Sequence, residues 1–99
     1  MKVDVKKESN KTIINIEGII KTSQNAQSFI DVVESGVKES NQIEINIKDS
    51  FSVTSTIIGF LMQKANDKNK SISINVGNDR LHELFDMLGV ASILNVRKV

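Results

Sequence analysis

The chain has 99 residues, with 13 Lys and Arg against 12 Asp and Glu, 4 Phe, 1 His and no Cys. That length fits one domain with a single core, and the missing cysteines exclude disulfide staples, thiolate metal sites and a thiol nucleophile. A formal charge of +1 leaves no electrostatic footprint for nucleic acid or for an anionic membrane, and no Phe sits among clustered basic residues to stack bases.

In chain order, Val3 and Val5 alternate with Lys2, Asp4 and Lys6. The polar pair Ser9-Asn10 follows, and a β-branched stretch runs from Thr12 to Ile16, a pattern that predicts an antiparallel hairpin. This start alternates charge with valine, unlike the basic-then-apolar layout of a secretory signal. Every apolar run is too short to span a membrane, so a cytoplasmic location is expected. Gly18 closes the second strand, Ile19 and Ile20 continue the apolar character, and Thr22 or Ser23 is placed to cap a helix. Ala26, Phe29, Ile30, Val33 and Val37 then recur at the spacings of a buried helical stripe, opposite Gln27, Asp31, Glu34 and Lys38. Gly36 weakens that helix near its end, and Ser40-Asn41 terminates it.

Ile43, Ile45 and Ile47 alternate strictly with Gln42, Glu44, Asn46 and Lys48, which places the isoleucines on one face of a strand. The hydroxyl-rich segment from Asp49 to Thr56 feeds a second, apolar helix that carries Ile57, Ile58, Phe60, Leu61, Met62 and Ala65 and runs to about Lys68. Ile72, Ile74 and Val76 form another half-buried strand, and Gly77-Asn78-Asp79 turns and caps. Leu81, Leu84, Phe85 and Leu88 make a third helical stripe, with Met87 on or beside it. Gly89 stands where a left-handed cap belongs, and Ile93, Leu94 and Val96 read as a short final strand. The order ββαβαβαβ predicts a single α/β domain over residues 1–99. Its sheet is mixed and mainly parallel, with an N-terminal antiparallel hairpin, packed helices and right-handed crossovers.

Catalysis needs a nucleophile with its base, or paired carboxylates in a cleft. Neither constellation is legible, so the chain is not expected to be an enzyme, and no cofactor or metal is expected. His82, without Cys nearby, reads as an exposed helix residue, Asp49 as a strand-end turn residue and Asp86 as an exposed helix residue. Gly59, inside the second helix, either allows helix and sheet to approach closely or is tolerated at a cost of about 1 kcal/mol. Thr54, Ser55 and Thr56 read as ordinary helix caps, or as a switch. A hydroxyl in the first turn of a helix faces unpaired N–H groups and the positive end of the dipole, where a phosphate would be stabilised.

Two stretches resemble the STAS domains of anti-sigma factor antagonists. Ile45-Asn46-Ile47-Lys48-Asp49 matches the family's apolar strand with its closing Asp, and Thr54-Ser55-Thr56-Ile57-Ile58-Gly59 falls without a gap on its Asp-Ser-Ser-Gly-Leu-Gly loop motif. Leu84-Phe85-Asp86-Met87-Leu88-Gly89-Val90 is similar to the Leu-Phe-Asp-Met-Ser-Gly-Leu stretch of sporulation anti-anti-sigma factors, and the element order agrees along essentially the whole chain. The resemblance implies a STAS-like fold and a regulatory binding role toward an anti-sigma factor or serine/threonine kinase-like protein, ended by phosphorylation. It puts the phosphoacceptor at Thr56, with Ser55 as the alternative under a one-residue shift. The surface that meets the partner is then the loop and helix start formed by Asp49, Ser50, Phe51, Ser52, Val53, Thr54, Ile57 and Ile58. The chain departs from the family where Thr54 replaces the loop Asp, where Ile57 replaces Gly, and where Gly18-Ile19-Ile20-Lys21 stands for Gly-Glu-Leu-Asp. Loss of those acidic residues suggests a second reading, a degenerate domain serving as a constitutive scaffold or subunit. Oligomeric state is left open.

Overall fold

Isoleucine or valine at alternate positions builds the centre of the sheet. In the computed structural model, which describes residues 1–99, β1 (Lys2–Glu8), β2 (Lys11–Glu17), β3 (Gln42–Ile47), β4 (Ser71–Val76) and β5 (Val96–Lys98) lie side by side in that order. β1 and β2 are antiparallel, with Glu8 opposite Lys11 across the Ser9-Asn10 turn. From β2 to β5 all neighbours are parallel. The crossovers are α1 (Ser23–Glu39), α2 (Ser55–Ala65) and α3 (Asp79–Met87), so the order is the expected ββαβαβαβ.

Each parallel strand is laid down beside the one before it, and right-handed crossovers of that kind put every helix on the same face of the sheet. Burial follows. Ile14, Ile16, Ile43, Ile45, Ile47, Ile72, Ile74 and Val76 are buried under the helices, where Phe29, Val33, Ile57, Leu61, Leu81 and Phe85 meet them. The alternate residues Asn15, Glu44, Asn46, Ser73 and Asn75 lie half-buried on the bare face. A strand order without reversal also has no topological switch point, the crevice in which doubly wound sheets bind nucleotides.

Local chemistry sets the ends of the elements. Thr22 caps α1 through a reciprocal box: its side chain accepts the Asn25 N–H, and Asn25 Oδ1 accepts the Thr22 N–H. Ser40 ends the helix as expected, and its buried hydroxyl meets that of Thr12 at 2.7 Å. Gly36 is more than a weak helix former, because a Cβ there would stand 3.2 Å from the Thr12 methyl. Gly89 takes the left-handed conformation expected of it, at φ 71°.

Three expectations need correction. α2 stops at Ala65, with Asn66 as its C-cap, rather than near Lys68. Ile93 and Leu94 are not in the last strand. The Leu94 N–H bonds back to the Val90 carbonyl at 3.0 Å, as in a helical turn, and Asn95 at φ 50° reverses the chain into β5. Leu94 is buried from that turn, whereas Ile93 is exposed. α3 ends at Met87, so its stripe closes with Phe85. Leu88 is half out in solvent, and Met87, at 83 % exposure, is no part of a core face.

Candidate functional site

The loops at the carboxyl ends of β2 and β3 form one unit, stitched by the side chains that follow β3. Asp49 Oδ2 accepts the N–H of Gly18 at 2.8 Å, which makes it the strand-end turn residue the sequence suggested. Ser50 Oγ accepts the N–H of Ile20 at 3.1 Å and donates to the carbonyl of Ser52 at 2.7 Å. Ser50 is fully buried with both roles filled, and Val53 is buried in the core beside it. The β4 end joins the same unit. A Cβ on Gly77 would stand 2.5 Å from the Lys48 carbonyl oxygen, so only glycine permits that approach.

Thr54 then caps α2, its Oγ1 accepting the Ile57 N–H at 3.2 Å. The amides of Ser55 and Thr56 have no intrahelical partner in this first turn. Both side chains are exposed. α1 and α2 each begin without an acidic residue in the first turn, and a shallow groove between their N-terminal halves is lined by Ser23, Ala26, Gln27, Ile30, Thr54 and Thr56. Thr56 faces that groove and Ser55 does not line it. A phosphate on Thr56 would stand where helix amides and dipole favour negative charge.

Of the residues expected to meet a partner, Asp49, Phe51 and Ser52 reach the surface, Thr54 and Ile58 do so in part, and Ser50, Val53 and Ile57 hold the surface from beneath. Phe51 is 48 % exposed, and Ile19 on the tethered neighbouring loop is 37 % exposed, so apolar side chains stand proud of both loops. Ile19 was missed because two consecutive isoleucines carry no alternation to say which turns outward. Ser23 and Gln27 were missed because they look like any solvent-facing helix residue. Gly59 departs from one expectation: it does not admit close approach of α2 to the sheet. It faces solvent, and a Cβ there would meet nothing within 4 Å.

No group of three or more His, Asp or Glu side chains comes together to hold a metal, and His82 is half-buried on α3 rather than exposed as expected. No helix is long and apolar enough to cross a membrane.

No protein-family model matches the sequence, and no curated protein does. Solved structures do match. An anti-sigma factor antagonist from Mycobacterium paratuberculosis superposes with a TM-score of 0.75 over 97 % of this chain and 84 % of its own, at 11 % identity. The anti-sigma factor antagonist SpoIIAA, in its unphosphorylated form, superposes with a TM-score of 0.77 over 99 % of this chain and 88 % of its own, at 9 % identity. At such identities the likeness is one of fold, and the fold is the STAS-like arrangement that the resemblance implied.

Proposed function

We propose, from a fold shared with anti-sigma factor antagonists, that this chain is a cytoplasmic regulatory domain that binds a kinase-type anti-sigma factor and catalyses nothing itself. The partner docks on the Asp49–Thr54 loop and the outer face of α2. Phosphorylation of Thr56 ends the contact.

The observation that carries this reading is Gly59. A glycine in an exposed helix interior costs about 1 kcal/mol relative to alanine, and nothing inside the molecule needs its missing side chain. A partner surface that comes close to α2 does need it. Around it the surface is chemically suited to docking: Phe51, Ile19 and Ile58 supply apolar area, and Ser52, Ser55 and Thr56 are small and uncharged. A phosphate would add roughly −1.5 to −2 charges to that surface and oppose an apolar contact by repulsion and desolvation.

The test is a substitution series read by direct binding and by intact mass. Wild type and Thr56→Ala are expected to capture the partner, and Thr56→Glu is not. Incubation with ATP and the partner is expected to add one phosphate to wild type and none to Thr56→Ala. A phosphate retained in Thr56→Ala would move the acceptor to Ser55. Equal capture by the Ala and Glu variants, with no phosphate on wild type, would overturn the switch and leave a constitutive scaffold.

A further inference from the structure

The sheet ends on one side in β5, only 3 residues long, and on the other in β1, which has 7 residues, no proline, and exposure at every position but Val3. The α1 backbone packs over β2 and β3 and does not cover β1, which meets that helix at the Lys7–Glu39 ion pair. The direction of the free backbone groups follows from the register. Ile16 offers its carbonyl to the Lys48 N–H beyond β3, so even-numbered residues of β2 face β3 and odd-numbered ones face β1. Across the hairpin, Lys11, Ile13, Asn15 and Glu17 pair with Glu8, Lys6, Asp4 and Lys2. The N–H and C=O groups of Val3, Val5 and Lys7 therefore point out of the sheet, and such a row is a template for another strand.

We propose that β1 pairs with β1 of a second copy, antiparallel about a two-fold axis at Val5, so that the two sheets become one continuous sheet. Outward groups meet outward groups only in registers that place odd residues opposite odd residues. In the register of full overlap, Val5 lies opposite Val5, Lys2 opposite Glu8 and Asp4 opposite Lys6, with each ion pair repeated by symmetry. These pairs stand on the bare face at non-hydrogen-bonded positions, where facing side chains are closest. A slip of one pleat in one direction sets Lys2 against Lys6 and Asp4 against Asp4. The opposite slip sets Asp4 against Glu8 and Lys6 against Lys6. Lysines on an edge strand ordinarily repel a partner strand; in this sequence they do so in the shifted registers and attract in the full one. On the helix face Val5, 42 % exposed in the single chain, is covered by its own copy, and Val3 meets the stem of Lys7, whose amino group is held by Glu39.

The experiment is sedimentation equilibrium on the 99-residue chain, its Asp4→Lys and Lys6→Asp variants, an equimolar mixture of the two, and the doubly swapped chain. Wild type is expected to dimerise with rising concentration. Each single variant places like charges face to face and is expected to associate at least ~10-fold more weakly, a loss of about 1.4 kcal/mol. The mixture and the double swap restore opposite charges at every position and are expected to regain the dimer. A wild type that stays monomeric at millimolar concentration, or single variants that associate as well as wild type, would overturn the proposal, as would a mixture that fails to recover. A second readout does not depend on the charge variants. The chain has no cysteine, and Val5→Cys places a thiol beside the axis, where facing Cα atoms of a hydrogen-bonded pair lie ~5.5 Å apart, within disulfide reach. It is expected to oxidise to a covalent dimer faster than Ser92→Cys on the exposed turn, and equal rates would contradict the arrangement.

Discussion

Ile45 and Asn46 are chain neighbours on β3, yet they sit in different solvents. Ile14, Ile45 and Ile74 form one row across β2, β3 and β4, wholly buried beneath the helices. Asn15, Asn46 and Asn75 form the next row, on the bare face, where Asn75 Nδ2 donates to Asn46 Oδ1 and Asn46 Nδ2 donates to Asn15 Oδ1, each at 2.8 Å. Parallel strands are usually covered on both faces. Here a row of short amides that satisfy one another takes the place of the second layer. The contrast also explains how register is held: a slip of one residue would send the isoleucines to water and the asparagines under the helices, so both rows oppose it.

Substitutions that break this division should rank by how much each face depends on packing. Ile45→Ala, which empties a fully buried site, is expected to cost about 2–5 kcal/mol, read from urea unfolding. Gly77→Ala comes next, at about 1–3 kcal/mol, because its new methyl meets the rigid Lys48 backbone and not a yielding side chain. Asn46→Ala removes the centre of the amide row but leaves its neighbours partly solvated, so about 1 kcal/mol is expected. A loss equal to that of Ile45→Ala would mean the bare face is packed like the covered one.

The smallest effect sharpens the comparison through pH. Glu44, on the bare face, accepts from Asn46 Nδ2 at 3.1 Å and pairs with Lys11 at 3.1 Å. The Asn46 hydrogen bond first, and then Lys11, hold its carboxyl below the usual glutamate range. Because the folded pKa lies below the unfolded one, this stabilisation is complete above about pH 4.3 and is lost as pH falls through the lower folded value. Unfolding midpoints of wild type and Glu44→Gln should therefore converge on acidification, and a constant gap would contradict the assignment.

Strict alternation from Ile43 to Ile47 and from Ile72 to Val76 made the strands and their buried faces legible, and the stripe from Ala26 to Val37 did the same for α1. Thr54 as a helix-start residue was legible because capping is local chemistry. What stayed hidden depends on where an element stops or on what crosses to it from far along the chain. Leu88 continues the spacing of α3, yet the helix ends one residue earlier, and periodicity carries no information about that end. Ile93 and Leu94 have strand-like side chains in a segment governed by the Leu94 to Val90 hydrogen bond and the reversal at Asn95. The groove beside Thr56 needs Ser23 and Gln27, which only the tertiary packing of α1 on α2 brings there. The fold could be read almost whole, while the surface around Thr56 could be read only on its own loop.

Gly59 provides the most direct measurement of the proposed role. Gly59→Ala should be compared with wild type in two assays on the same preparation, urea unfolding and titration with the proposed anti-sigma partner. The account expects opposite signs: stability higher by roughly 0.4–1 kcal/mol, since the new methyl meets nothing and the unfolded chain loses freedom, and partner affinity lower, with the bulkier Gly59→Gln weaker still. Affinity unchanged in both variants would contradict the docking of a partner on α2.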